Sequence, residues 1–192
     1  MKKKSGNSGG KGRKNTKWII VSVALIAVLA AGAVSAVTFS SSNSTAVRNN
    51  EIEFGPLGSA HDHAAFLVII DGKRIDFAPS KYQLKSQYIH VENLIGTTLH
   101  KHALLVPVGE FFKSIGMEVK NDCFISDDGK QYCDTPTKKL RFVVNGVQQD
   151  PDSIMDYILQ DNDRFLLIYG DETEEEIADV MQELNTIRIF RS

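Results

Sequence analysis

The run from Trp18 to Phe39, "WIIVSVALIAVLAAGAVSAVTF", contains no charged residue in 22 positions. About 20 such residues cross the hydrocarbon core of a bilayer, and a lone segment in lipid satisfies its backbone groups only as a helix. The run is therefore expected to be a transmembrane helix, which divides the chain into parts that fold on opposite sides of a membrane. Ahead of it, residues 1–17 hold seven Lys or Arg and no acid among Gly, Ser and Asn, the composition of a solvated basic tail. A cationic flank stays in the cytoplasm, so residues after Phe39 are expected outside, on a single-pass cell-membrane protein. The alternative is a cleaved signal peptide, with Val34 and Ala36 in "AGAVSA" as the small residues before the cut. The apolar run exceeds the roughly 7–15 residues of a signal h-region, which favours retention as a signal anchor. Either outcome exports the same domain.

Residues 40–51 form a polar spacer that lets a domain stand off the membrane. Within it Asn43-Ser44-Thr45 fits the N-glycosylation sequon, a match that chance also produces. The exported domain is expected over residues 52–192. All 24 acidic residues follow residue 50, against 15 basic residues beyond the tail, which leaves a formal charge of −9 outside the tail. That balance excludes a nucleic-acid partner and suits a surface that handles cations.

Turn chemistry and hydrophobic period define the domain's class. Asp71-Gly72, Asp128-Gly129 and Asn145-Gly146 each sit between β-prone runs, and these dipeptides favour the positive-φ turns of tight hairpins. "YIHVE" at 88–92 alternates as a strand, with Tyr88, His90 and Glu92 on its more polar face. "VGEFFKSIGM" has helical spacing at Val108, Phe111, Phe112 and Ile115, with Gly116 placed to end the helix. "PDSIMDYIL" reads as one or two helical turns and "DRFLLIYG" as a buried strand. Thr173 and Glu176 have capping-box spacing ahead of the stripe Ile177, Val180, Met181 and Leu184. The expected class is α+β: a mainly antiparallel sheet with several hairpins and a few packing helices, preceded by one transmembrane helix.

All five histidines, His61, His63, His90, His100 and His102, fall within residues 61–102, and four of them form two His-x-His pairs. On a strand, residues two apart point the same way, so each pair presents two imidazoles about 6–7 Å apart on one face. If the two pairs lie on neighbouring strands, their nitrogens converge. Neutral imidazole is a common ligand for late divalent metals, so the set, with Asp62 or Glu92 nearby to orient the rings, points to copper or zinc. Three histidines with an open position would activate water, whereas four closed to solvent would be structural, and spacing alone leaves both open.

Cys123 and Cys133 bracket the Asp128-Gly129 turn symmetrically and in an exported domain read as a structural disulfide. A redox pair would want Cys-x-x-Cys, which is absent, although unpaired thiols would offer a metal two further ligands. Gly-x-Ser-x-Gly is also missing, and "GNSGGKG" lacks phosphate-loop spacing, so no local motif calls for a catalytic residue.

At "IHVENLIGTTLHKHALLVPVGEFFKSIGM" and "LRFVVNGVQQDPDSIMDYILQDNDRFLLIYG" the chain resembles exported, membrane-anchored histidine-rich proteins of ammonia-oxidising archaea, with more distant actinobacterial relatives. The shared elements fall on His61, His63, His90, Glu92, His100 and His102, with a closing block at Val144 to Gly170, and the likeness covers residues 58–170. Some relatives carry the label protein-disulfide isomerase, an activity that does not transfer to a chain without Cys-x-x-Cys. The resemblance implies a histidine site in a secreted domain. Three functions follow: a membrane-tethered metal-binding domain, a non-catalytic accessory subunit of a membrane complex, or a metal-dependent hydrolase or oxidoreductase.

Overall fold

The structure is a computed structural model that describes residues 53–191; the basic tail, the apolar run at 18–39, the spacer and the Asn43 sequon lie outside the described residues. Among the described residues no helix is long and apolar enough to cross a membrane. The elements in chain order are β1 (Asp62–Ile70), β2 (Lys73–Arg74), β3 (Ile89–His90), β4 (Thr98–Lys101), α1 (Val108–Ser114), β5 (Glu118–Lys120), β6 (Cys123–Ile125), β7 (Gln131–Cys133), β8 (Lys139–Val144), β9 (Val147–Gln149), a 3-10 helix (Pro151–Met155), β10 (Arg164–Gly170) and α2 (Glu174–Thr186).

Seven strands form the main sheet in the order β3-β4-β1-β10-β8-β9, with β2 hairpinned onto β1, and β5-β6-β7 form a separate three-stranded sheet. The expected α+β class and the mostly antiparallel pairing are both present. The centre of the sheet departs from that pattern: β1 and β10 run parallel, in the register Ala65↔Arg164 to Ile70↔Tyr169. Their sequences explain the difference. "AAFLVII" and "FLLIYG" are continuous apolar runs with no polar alternation, the composition of strands covered on both faces.

Two cores supply that cover. On one face Ala64, Phe66 and Val68 pack with Phe77, Phe111, Phe112, Phe142 and Phe165, beneath α1, the 3-10 helix and the small sheet. On the other face Ala65, Leu67, Ile69, Leu166 and Ile168 meet Ile177, Met181 and Leu184 of α2. The α2 N-terminus carries both halves of its capping box, between the side chains and backbone N–H groups of Thr173 and Glu176. α1 ends at Gly116, whose φ of +79° is the left-handed conformation that stops a helix. The three hairpin turns form where expected, with positive φ at Asp71 and Gly72, at Gly129, and at Asn145 and Gly146. Cys123 and Cys133 face each other across β6 and β7 and are disulfide-bonded.

Candidate metal centre

Strand register brings the histidines together. β4 lies between β1 and β3, so His100 stands directly opposite His63 on one side and His90 on the other. Opposed residues in neighbouring antiparallel strands put their side chains on the same face, and the two-residue period adds His61 beyond His63 and His102 beyond His100. The five rings close into a circuit, with centroids 4.7 Å apart for His61–His63, 4.8 Å for His63–His100, 6.2 Å for His100–His90, 4.9 Å for His90–His102 and 5.1 Å for His102–His61. The face is the one that α2 covers elsewhere: Ala65 pairs with Thr98 one step further along the same strands.

Burial is graded across the circuit. His63, His90 and His100 are buried, His102 is half-buried and His61 is exposed. Both ring nitrogens of His63, Nε2 of His90 and Nδ1 of His100 are buried without a hydrogen-bond partner. Native proteins rarely leave buried polar nitrogens so, and four in one cluster call for a missing partner. His61, His63 and His100 form a group able to hold a metal ion: one ligand atom of each lies within 4.8 Å of the others. Around a tetrahedral ion with bonds of roughly 2.0–2.1 Å the nitrogens stand about 3.4 Å apart. The remaining closure falls most easily to the exposed ring of His61.

Electrostatics favour the same chemistry. Burial pushes His100 from its ordinary value of 6.5 down to about 4, and burial with the neighbouring imidazoles also lowers His63 and His102. These rings are neutral near pH 7 and offer lone pairs without first losing a proton. In the metal-free protein this carries a stability signature. Above about pH 6.5 the folded and unfolded forms of His100 are both neutral and its contribution is complete; as pH falls towards about 4 the unfolded chain takes a proton that the folded site refuses. Urea denaturation of the metal-free protein should lose about 2–3 kcal/mol over that window from His100 alone, with a shallower slope in His100→Gln.

Glu92 lies beside the cluster, with Oε2 3.4 Å from Nε2 of His90 and Oε1 3.8 Å from Nδ1 of His100. Asp62 does not join it. The alternation that aligns His61 with His63 turns Asp62 to the opposite face, where its carboxylate sits 2.8 Å from the buried Lys101 ammonium. The cysteines are joined to each other and supply no thiolate. Asn43 lies outside the described residues.

Two contributors were absent from the sequence reading. Asp161 accepts the His63 backbone N–H at 3.0 Å and places the same oxygen 3.7 Å from His63 Nδ1, while Arg191 holds its other oxygen at 3.1 Å. A carboxylate so placed favours a proton on Nδ1 and leaves Nε2 as the nitrogen for a metal. Ser86 does the equivalent for His90, its carbonyl lying 2.7 Å from Nδ1. Neither had a local signal, since Asp161 is 98 residues from His63 and the Ser86 contact uses backbone. Two surface grooves, one of about 310 Å³ between α2 and the β8–β9 hairpin and one of about 210 Å³ beside Phe77, are lined without any histidine.

No family model, curated protein or solved structure matches this chain.

Proposed function

We propose that the protein is a membrane-tethered extracytoplasmic domain that binds a transition-metal ion, copper or zinc, through the histidine circuit. The observation that carries this reading is the convergence of ligand atoms from His61, His63 and His100, within a cluster where four buried imidazole nitrogens have no hydrogen-bond partner. His102 and His90 complete the ring around them, and the Glu92 carboxylate lies beside two of the rings. Imidazole and carboxylate donors without thiolate suit Cu²⁺ or Zn²⁺, and copper leads by the affinity order of nitrogen-rich sites. The Cys123–Cys133 disulfide supports an oxidising compartment, in keeping with export past the apolar run at 18–39.

The test is metal analysis of the full chain, purified in detergent without chelators, then titrated with Cu²⁺ and Zn²⁺ against a competing chelator. About one equivalent or more, held through mild dialysis, is expected of a folded multi-imidazole site. Only traces of metal, with no uptake on titration, would overturn the proposal. Protease protection in sealed membranes tests the tether separately: the tail should be cut from the cytoplasmic side and the domain from the other.

The exposure of His61 favours one second reading, a hydrolase or oxidoreductase in which three histidines leave a position open to solvent. It predicts metal-dependent turnover of small esters or of a one-electron donor, abolished together with metal binding in His63→Gln.

A further inference from the structure

The far side of the circuit presents a problem of its own. Nδ1 of His90 lies 2.7 Å from the Ser86 carbonyl, which only accepts, so Nδ1 carries a proton, and a ring with that single proton has its lone pair at Nε2. His90 is 7% exposed, and that Nε2 is buried with no hydrogen-bond partner. What it faces, at 3.4 Å, is Oε2 of Glu92. Two acceptors confronting each other in so sheltered a site repel unless a proton or a metal cation lies between them. Moreover, 3.4 Å is the spacing of adjacent donors around a tetrahedral ion whose bonds are about 2.0–2.2 Å. The His102 ring is the neighbouring imidazole, its centroid 4.9 Å from that of His90.

We propose that His90, Glu92 and His102 hold a second divalent first-row transition-metal ion beside the one at His61, His63 and His100, so that the centre is binuclear. The inference rests on the metal-binding function proposed above. The second oxygen of Glu92, which accepts from Asn93 Nδ2 at 3.2 Å, lies 3.8 Å from Nδ1 of His100 on the side of the first position. The first position is all imidazole. The second combines imidazole with carboxylate, a harder donor set that takes Zn²⁺, Co²⁺ or Mn²⁺ more readily than the first does.

The full chain in detergent, stripped of metal and titrated with Co²⁺, should take up two equivalents with distinct visible spectra. His90→Gln and Glu92→Gln should each retain one, and His61→Ala/His63→Ala should lose the other. Glutamine matches glutamate in size, so Glu92→Gln guards against loss by misfolding, and Cu²⁺ loading of the unmodified protein gives a readout free of mutation. At two equivalents the spins should couple and the electron paramagnetic resonance signal per copper should fall. One equivalent in the unmodified protein, unchanged in Glu92→Gln, would overturn the second position and leave the first standing, a proton then filling the gap at His90. No uptake at all would overturn both.

Discussion

Replacing His100 with glutamine is expected to weaken metal binding on the order of 100-fold or more, the largest single effect on the site, as read by competition with a chelator. A structural metal site is worth about 10–16 kcal/mol shared among few bonds, so the loss of one ligand removes several kcal/mol. His100 is the side chain whose removal disturbs most, because β4 sets it opposite both His63 and His90 and it is almost fully buried. The matching control is Asp62→Asn. Its carboxylate faces away from the rings towards Lys101, so ion affinity should hold while stability drops, the buried ammonium having lost its partner.

Phe66→Ala should destabilise the domain by about 3–5 kcal/mol in urea or guanidinium unfolding. The ring is fully buried among Phe77, Phe111 and Phe165, with centroids 5.2, 5.5 and 5.3 Å away, so its truncation leaves a cavity lined by aromatic rings. Because β1 also carries His63, this core change and the proposed metal site are linked. An ion present at about 100 times its Kd adds about 2.7 kcal/mol to a folded state that alone binds it. Saturating metal should therefore recover more than half of the loss at the lower end of the range in Phe66→Ala and much less in Phe66→Ala/His100→Gln. Equal recovery in the two variants would show that the ion sits elsewhere.

Much of the molecule was legible because its signals are local. Asp71-Gly72 and Asn145-Gly146 take positive φ, as tight turns require, and Thr173 and Glu176 cap α2 because their spacing lets each reach the other's backbone. The histidine convergence follows from one rule, that residues two apart on a strand share a face, once β1 and β4 are neighbours. The same rule assigns Asp62 to the opposite face, which nearness in sequence to His61 and His63 had obscured. What could not be read was long-range. Nothing in "AAFLVII" or "FLLIYG" says which strand lies alongside or in which direction, since both runs are apolar throughout and pairing is decided by the cover that α1 and α2 provide. Asp161 reaches His63 only because β10 lies against β1, and so its role follows from a pairing that the sequence does not announce.

That parallel central pair also dictates the order in which the molecule can assemble. β1, β3 and β4 lie within residues 62–101 and pair antiparallel, so the imidazole-bearing part needs only short loops to close. Strand β10 belongs between β1 and β8, and its arrival closes a loop spanning most of the domain, the slowest kind of contact to make. Until then one edge of β1 is bare and its apolar faces are uncovered, a template for association with other chains. Under the proposed function, an ion captured early by the first three strands would hold that edge's register while the rest of the polypeptide folds, so that metal supply would govern yield as well as occupancy.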